Sequence, residues 1–212
     1  MKSRIIVLIG MLLLASACFA QEDYQIHTLI NSRHRSSGGY AALSNKFTTI
    51  KGDYANMVEL YGGWYINHSF LLGVSGSATT NNIPVPFEFS TDPDHEMSYE
   101  YGQFGLMTEY TLWSHRAIHL SFYAMNGAGF TVQYQRHKED GDFNWDQENT
   151  HRDSNWFYVT EPGVRLEMNV FKWMRFSPGI SYRATFGSNA TGLKDKDLSG
   201  TSLNLTLKFG KF

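Results

Sequence analysis

The sequence holds one cysteine, five prolines and no apolar run long enough to cross a bilayer as a helix. Each shortage removes a class of protein. Cys18 stands inside the leader described below, so the mature chain has no disulfide and no cysteine-based metal site. The lack of an eighteen-residue apolar stretch excludes helical membrane spans. A formal charge of −2 leaves no electrostatic footprint for nucleic acid. Aromatics are plentiful at 15%, and 19 glycines accompany them. That mixture with scarce proline suits strands and tight turns better than a helical bundle.

The first residues read as an export signal. Lys2 and Arg4 precede the apolar stretch Ile5 to Ala15, and small residues lead to Ala20 before the polar Gln21-Glu22-Asp23. Cleavage is expected after Ala20. A lipoprotein signal also ends just before a cysteine, but Ala15-Ser16-Ala17 lacks the leucine usual three positions upstream of it. The expected organisation is a signal peptide over 1–20, a periplasmic arm over 21–36 and one β domain over 37–212.

Two-residue alternation organises that domain. In Thr201 to Phe209, Leu203, Leu205, Leu207 and Phe209 alternate with Ser202, Asn204, Thr206 and Lys208. Helical geometry would scatter these leucines, whereas a strand sets them in one row. Met174 to Gly187 alternates in the same way, with Phe176, Ile180, Tyr182 and Phe186 opposite Arg175, Ser177, Ser181 and Arg183. Similar segments are Tyr54 to Ile66, Phe70 to Ala78, Gly102 to Leu112, Ile118 to Tyr134 and Trp156 to Met168, with Gly39 to Ile50 the weakest. About eight strands follow, each long enough for a tilted membrane crossing.

The connections alternate in length. Short turns lie at Ile66 to Ser69, Trp113 to Arg116 and Asn169 to Lys172. Long polar segments lie at Thr79 to Ser98, Gln135 to Asn155 and Ser188 to Leu198; only the connection at Lys51-Gly52-Asp53 fails to be long. This pattern predicts an all-β, antiparallel up-and-down barrel in a bacterial outer membrane, with short turns and both termini in the periplasm. The polar face separates this fold from a soluble ligand-carrying barrel. It carries Glu59, Glu109, Glu161, Arg165, Glu167, Arg175, Arg183 and Lys208. Eight strands enclose only enough space for side chains, so these charges are expected to pair inside while the apolar rows face lipid. Trp64, Tyr65, Tyr99, Tyr101, Trp113, Trp156, Trp173, Phe209 and Phe212 near strand ends are expected to form interfacial girdles.

Taken together, these residues resemble the small outer-membrane β-barrels of Gram-negative bacteria, and more narrowly an uncharacterised subfamily. The landmarks are Gly62-Gly63-Trp64 with Ile66-Asn67-His68-Ser69-Phe70, then Glu161-Pro162-Gly163-Val164 with Leu166-Glu167, and the ending Asp197-Leu198-Ser199-Gly200 to Lys208-Phe209-Gly210-Lys211-Phe212. The resemblance spans most of the mature chain and implies architecture rather than an activity. It also implies membrane lipid and the barrel-assembly machinery as partners. Phe212 departs from the broader pattern, since it has the opposite parity to Leu203, Leu205, Leu207 and Phe209. Either Phe209 serves as the assembly signal or a bulge at Gly210 restores the phase.

Three chemistries compete for the remaining residues. His119, Ser121 and Glu109 could suggest an enzyme acting on envelope lipid, but two residues along a strand span about 7 Å, beyond hydrogen-bond reach. The acids Glu88, Asp92, Asp94 and Glu96, with those between Arg136 and Asp153, could hold calcium, though their spacing matches no EF-hand loop. Phe87, Phe89, Phe143 and Trp145 lie among loop charges and are candidate anchors for an extracellular ligand. A narrow pore is the remaining alternative. The expectation is a non-enzymatic surface barrel without cofactor or bound metal, whose role is structural, adhesive or ligand-binding.

Overall fold

The computed structural model describes residues 37–66, 69–135 and 154–210. The leader, the arm over 21–36, the segment 136–153 and Phe212 therefore lie outside the described residues, and Phe143 and Trp145 with them. Nine strands occur among the described residues: β1 Ser37–Ile50, β2 Asp53–Ile66, β3 Phe70–Thr79, β4 Ile83–Pro84, β5 Met97–Leu112, β6 Ile118–Gln135, β7 Asn155–Phe171, β8 Met174–Phe186 and β9 Gly200–Gly210. Each long strand pairs antiparallel with its neighbours, and the β1–β9 and β3–β5 pairings close the sheet. The result is an eight-stranded barrel, with β4 as a two-residue extension paired to β5.

Register sets the width of the bore. Gly210 pairs with Tyr40, Tyr40 with Gly63, Gly63 with Gly73, Gly73 with Met107 and Met107 with Met125. Met125 pairs with Glu161, which lies one place along from the Thr160–Ala184 pair and so opposite Arg183; Arg183 pairs with Gly200. One circuit thus returns to β9 ten residues from its start. That stagger tilts the strands and fixes an interior that side chains alone can fill.

Ser37 and Gly210 lie at one end of the barrel, together with the turns that join β5 to β6 and β7 to β8. One is the two-residue turn Lys172–Trp173, because β7 runs on to Phe171 past an irregularity in its register after Asn169. At the other end, Lys51 and Gly52 both adopt positive φ (54° and 85°), which joins β1 to β2 as a tight hairpin. The segment read as a loop from Thr79 to Ser98 is shorter than expected. Thr79 closes β3, Met97 and Ser98 open β5, and β4 and a 3-10 turn at Phe87–Phe89 lie between. The segment after β8 is not the plain polar loop that its composition suggests. It forms one helical turn, Asp195–Leu198, and buries Leu193 and Leu198 completely.

The two faces differ as alternation requires. Leu203, Leu205, Leu207 and Phe209 of β9 are exposed on the outside, while Ser202, Asn204, Thr206 and Lys208 are buried within. Trp64, Trp113, Trp156, Trp173 and Phe209 also point outward, with Phe171, Trp173 and Phe209 stacked at 5.5 and 6.2 Å between ring centroids. The girdle reading is corrected for Tyr65, Tyr99 and Tyr101. They share the parity of inward neighbours such as Gln103, and they lie buried inside the bore.

Candidate functional site: the ion-filled bore and its cap

The bore is assembled by inward positions of six strands. β1 supplies Lys46, β2 Glu59, β5 Glu109, β7 Glu161, Arg165 and Glu167, β8 Arg175 and Arg183, and β9 Lys208; all are at least 97% buried. Lys46 Nζ donates to Glu59 Oε1 at 2.9 Å and to both oxygens of Glu161 at 2.9 and 3.0 Å. Arg165 links the next two carboxylates, with Nη2 at 3.7 Å from Glu59 Oε2 and Nη1 donating to Glu109 Oε2 at 3.2 Å. Lys208 Nζ donates to Glu109 at 2.6 and 2.7 Å and also to Glu167, which accepts from Arg175 Nη1 at 3.2 Å. Acid and base therefore alternate in one chain: Glu161, Lys46, Glu59, Arg165, Glu109, Lys208, Glu167, Arg175. Every link neutralises its neighbours where water cannot.

Hydroxyls and one amide add further bonds to three of the carboxylates, while Glu59 Oε2 has no hydrogen-bond partner among the described residues. Ser181 Oγ and Gln103 Nε2 each donate to Glu161 at 2.6 Å, Ser75 Oγ donates to Glu59 at 2.8 Å, and the Tyr65 hydroxyl donates to Glu109. The Arg165 guanidinium lies 3.5 Å from the ring centre of Tyr123 and 4.9 Å from that of Tyr61, so aromatic faces take the rest of its charge. Lys46 is the member that alternation alone did not single out, because β1 has the least contrast. Its parity with Ser44 and Thr48, both buried, is the signal that finds it.

Arg183 stands apart from that chain. Its Nε donates to the Leu198 carbonyl at 2.6 Å and its Nη2 to that of Thr49 at 3.1 Å, and it meets no carboxylate among the described residues. It thereby ties the helical turn over the mouth of the barrel. Asp195 fastens the same segment by accepting from the Ser188 and Gly187 amides at 2.7 and 3.0 Å. Beneath it Ile50, Met57, Ile83, Tyr99, Tyr101, Phe157, Leu193 and Leu198 form one apolar cluster. A second cluster around Tyr40, Tyr61, Tyr65, Leu71, Met107 and Tyr123 lies beside the ion pairs lower down.

The other candidate residues are dispersed. His119 has both ring nitrogens occupied, by the Arg116 carbonyl at 3.0 Å and Glu167 at 3.1 Å, and Ser121 Oγ bonds Thr111 Oγ1 at 2.9 Å. Histidine, serine and Glu109 do not converge. Among the described residues no three His, Asp or Glu side chains gather to hold a metal ion; Asp92 instead accepts from His95 at 2.8 Å. Of the loop aromatics, Phe87 is 77% exposed, whereas Phe89 is half-buried under Lys51 Nζ, 4.2 Å from its ring centre.

Comparison of the sequence with protein families finds no match, and comparison with curated proteins finds none. Solved structures do match. Neisserial surface protein A aligns over 85% of this chain and 100% of its own, with a TM-score of 0.55 at 10% identity. A major outer membrane protein from Thermus thermophilus covers 82% of this chain and 99% of its own, at 0.53 and 8%. The N-terminal β-barrel domain of Pseudomonas aeruginosa OprF covers 84% and 99%, at 0.51 and 8%. Their shared feature is a closed eight-stranded membrane barrel, here with an apolar outer belt. The chain has the fold of the small outer-membrane β-barrels. At such low identity the likeness carries the fold alone, and what the barrel does must be sought in its own interior and ends.

Proposed function

We propose that this barrel is a closed, non-enzymatic surface protein whose working part is the capped end, where it takes a structural, adhesive or ligand-binding role. The observation that carries this reading is the filled bore. Four carboxylates and four cations neutralise one another along its length, and the Leu193–Leu198 segment covers its mouth. A bore packed with paired charges supports a closed interior, and on this reading recognition falls to the segments beyond the strands. Phe87 supplies one solvent-facing aromatic there. In this orientation the termini and short turns face the periplasm, as is usual for such barrels.

The test replaces residues 85–95 with a short Gly-Ser turn in the full chain expressed in cells. The barrel should keep its heat-modifiable migration on a gel, while adhesion or aggregation conferred by the native chain should fall to the level of cells without it. Unchanged adhesion would contradict a role for this loop. In planar bilayers the native barrel should show no discrete open-channel steps, and steady conductance would contradict the closed bore.

A further inference from the structure

An amide stands on the lipid-facing wall at the middle of the membrane. Asn126 projects outward from β6, four residues from Phe122 on one side and four from Phe130 on the other. Phe122 pairs with Tyr110, and Tyr110 with Phe70, in one aromatic row; Phe130 pairs with Trp156 in the other. Such rows mark the two headgroup levels, so the amide lies midway between them, where a bilayer holds only hydrocarbon. Its Oδ1 accepts from the Thr160 hydroxyl at 2.7 Å and the Tyr158 hydroxyl at 3.2 Å. A tyrosine on a membrane wall ordinarily turns its hydroxyl toward water. Tyr158, paired with Ala128 on the capped side of Asn126, turns its hydroxyl toward the midplane instead.

These bonds leave Asn126 Nδ2 without an acceptor among the described residues. An unmet donor in hydrocarbon is costly, and neither acyl chains nor water supply an acceptor at this depth. The acceptor must come from protein. The surroundings let protein come close. Ala124 and Ala128 flank Asn126 on β6, and beyond Ala128 a groove of about 870 Å³ crosses the wall over Gly62 and Gly76. Small residues of this kind allow two membrane-spanning surfaces to approach within hydrogen-bonding distance. The patch also offers acceptors, because the Thr160 and Tyr158 oxygens keep lone pairs after donating to Asn126. A surface that carries both donors and acceptors can match a copy of itself, as a two-fold contact requires.

We propose that two copies of this barrel pair side by side through the outer faces of β6 and β7, with Asn126 Nδ2 of each copy donating to the Asn126–Thr160 patch of the other. A two-fold axis along the membrane normal sets equal depths of the two walls together. Both amides then meet at the midplane, and one contact satisfies both. A hydrophobic partner of another kind would leave the donors unmet, whereas a second copy brings the matching oxygens at the matching depth. The surface lies on the barrel wall, away from the capped end, so it goes beyond the surface-loop reading and stands independently of it.

The experiment counts copies. The mature chain, carrying one dye through His115→Cys in an exposed short turn, is reconstituted in phosphatidylethanolamine–phosphatidylglycerol vesicles. Single-molecule photobleaching is then followed as the lipid-to-protein ratio falls. Spots of this chain should pass from one bleaching step to two and stop there. Asn126→Leu, with folding checked by heat-modifiable migration, should weaken pairing about five- to tenfold, the factor that two symmetry-related bonds supply in a membrane. Ala128→Leu keeps the amide but holds the walls apart, so it should weaken pairing as well and carries the test if Asn126→Leu does not fold. Leu43→Ala, on β1 and four strands from β6 in either direction, should leave pairing unchanged. Single steps at every ratio would overturn the proposal by leaving lipid against the wall. Pairing unmoved by Asn126→Leu and Ala128→Leu, or weakened equally by Leu43→Ala, would overturn it too, as would spots of more than two steps. A loop-truncated barrel should pair as the native one does, so failure here and failure of the loop reading are separable.

Discussion

Lys208 touches two carboxylates from different strands, Glu109 of β5 and Glu167 of β7, and all three side chains are sealed from solvent. Removing such a cation leaves two buried anions facing each other, and the loss exceeds anything that truncation on the lipid face can produce. Lys208→Met should lower unfolding stability by about 3–5 kcal/mol, measured by denaturant titration in lipid vesicles. Leu205→Ala, outside on the same strand, should cost clearly less, since lipid replaces the lost contacts. Glycine offers a second contrast. Gly105→Ala drives a methyl into a neighbouring carbonyl and should cost about 1–3 kcal/mol, whereas Gly76→Ala meets only Phe104 Cβ, at an unstrained 4.0 Å, and should stay within about 0.5 kcal/mol in the same assay. Single residues are legible in the sequence only as far as parity extends. Glu109 and Arg165 follow from alternation. Lys46 escapes notice in a strand of low contrast, and Tyr99 and Tyr101 mislead because strand ends attract aromatics to both faces.

Among the elements, the strands are readable and the cap is not. Period two is a direct consequence of strand geometry, so β8 and β9 announce themselves through Phe176 to Phe186 and Leu203 to Phe209. The segment after β8 carries no period. Leu193 and Leu198 stand among Lys, Asp and Gly, and only their distant partners, Ile50, Met57 and Phe157, make them core residues. Their burial depends on the tie from Arg183 to the Leu198 carbonyl and on the two amides from which Asp195 accepts. Asp195→Ala should loosen the cap. Limited proteolysis of the folded barrel should then cut within residues 188–198 several-fold faster than in the native chain, while the strands stay intact. Equal rates would mean that packing of the two leucines holds the cap unaided.

For the whole molecule, one separation governs everything: hydrocarbon-loving side chains outside, mutually neutralised ions and tyrosines inside. The most direct measurement is the accessibility of nitroxide labels along β9 in bilayers, on the mature chain, in which each introduced cysteine is expected to be unique. Leu203→Cys, Leu205→Cys and Leu207→Cys should give labels that collide readily with oxygen dissolved in the lipid and rarely with a water-soluble nickel chelate. Ser202→Cys, Asn204→Cys and Thr206→Cys should be shielded from both reagents. Accessibility that alternates in the opposite phase, or inward labels freely reached by the nickel chelate, would contradict the account.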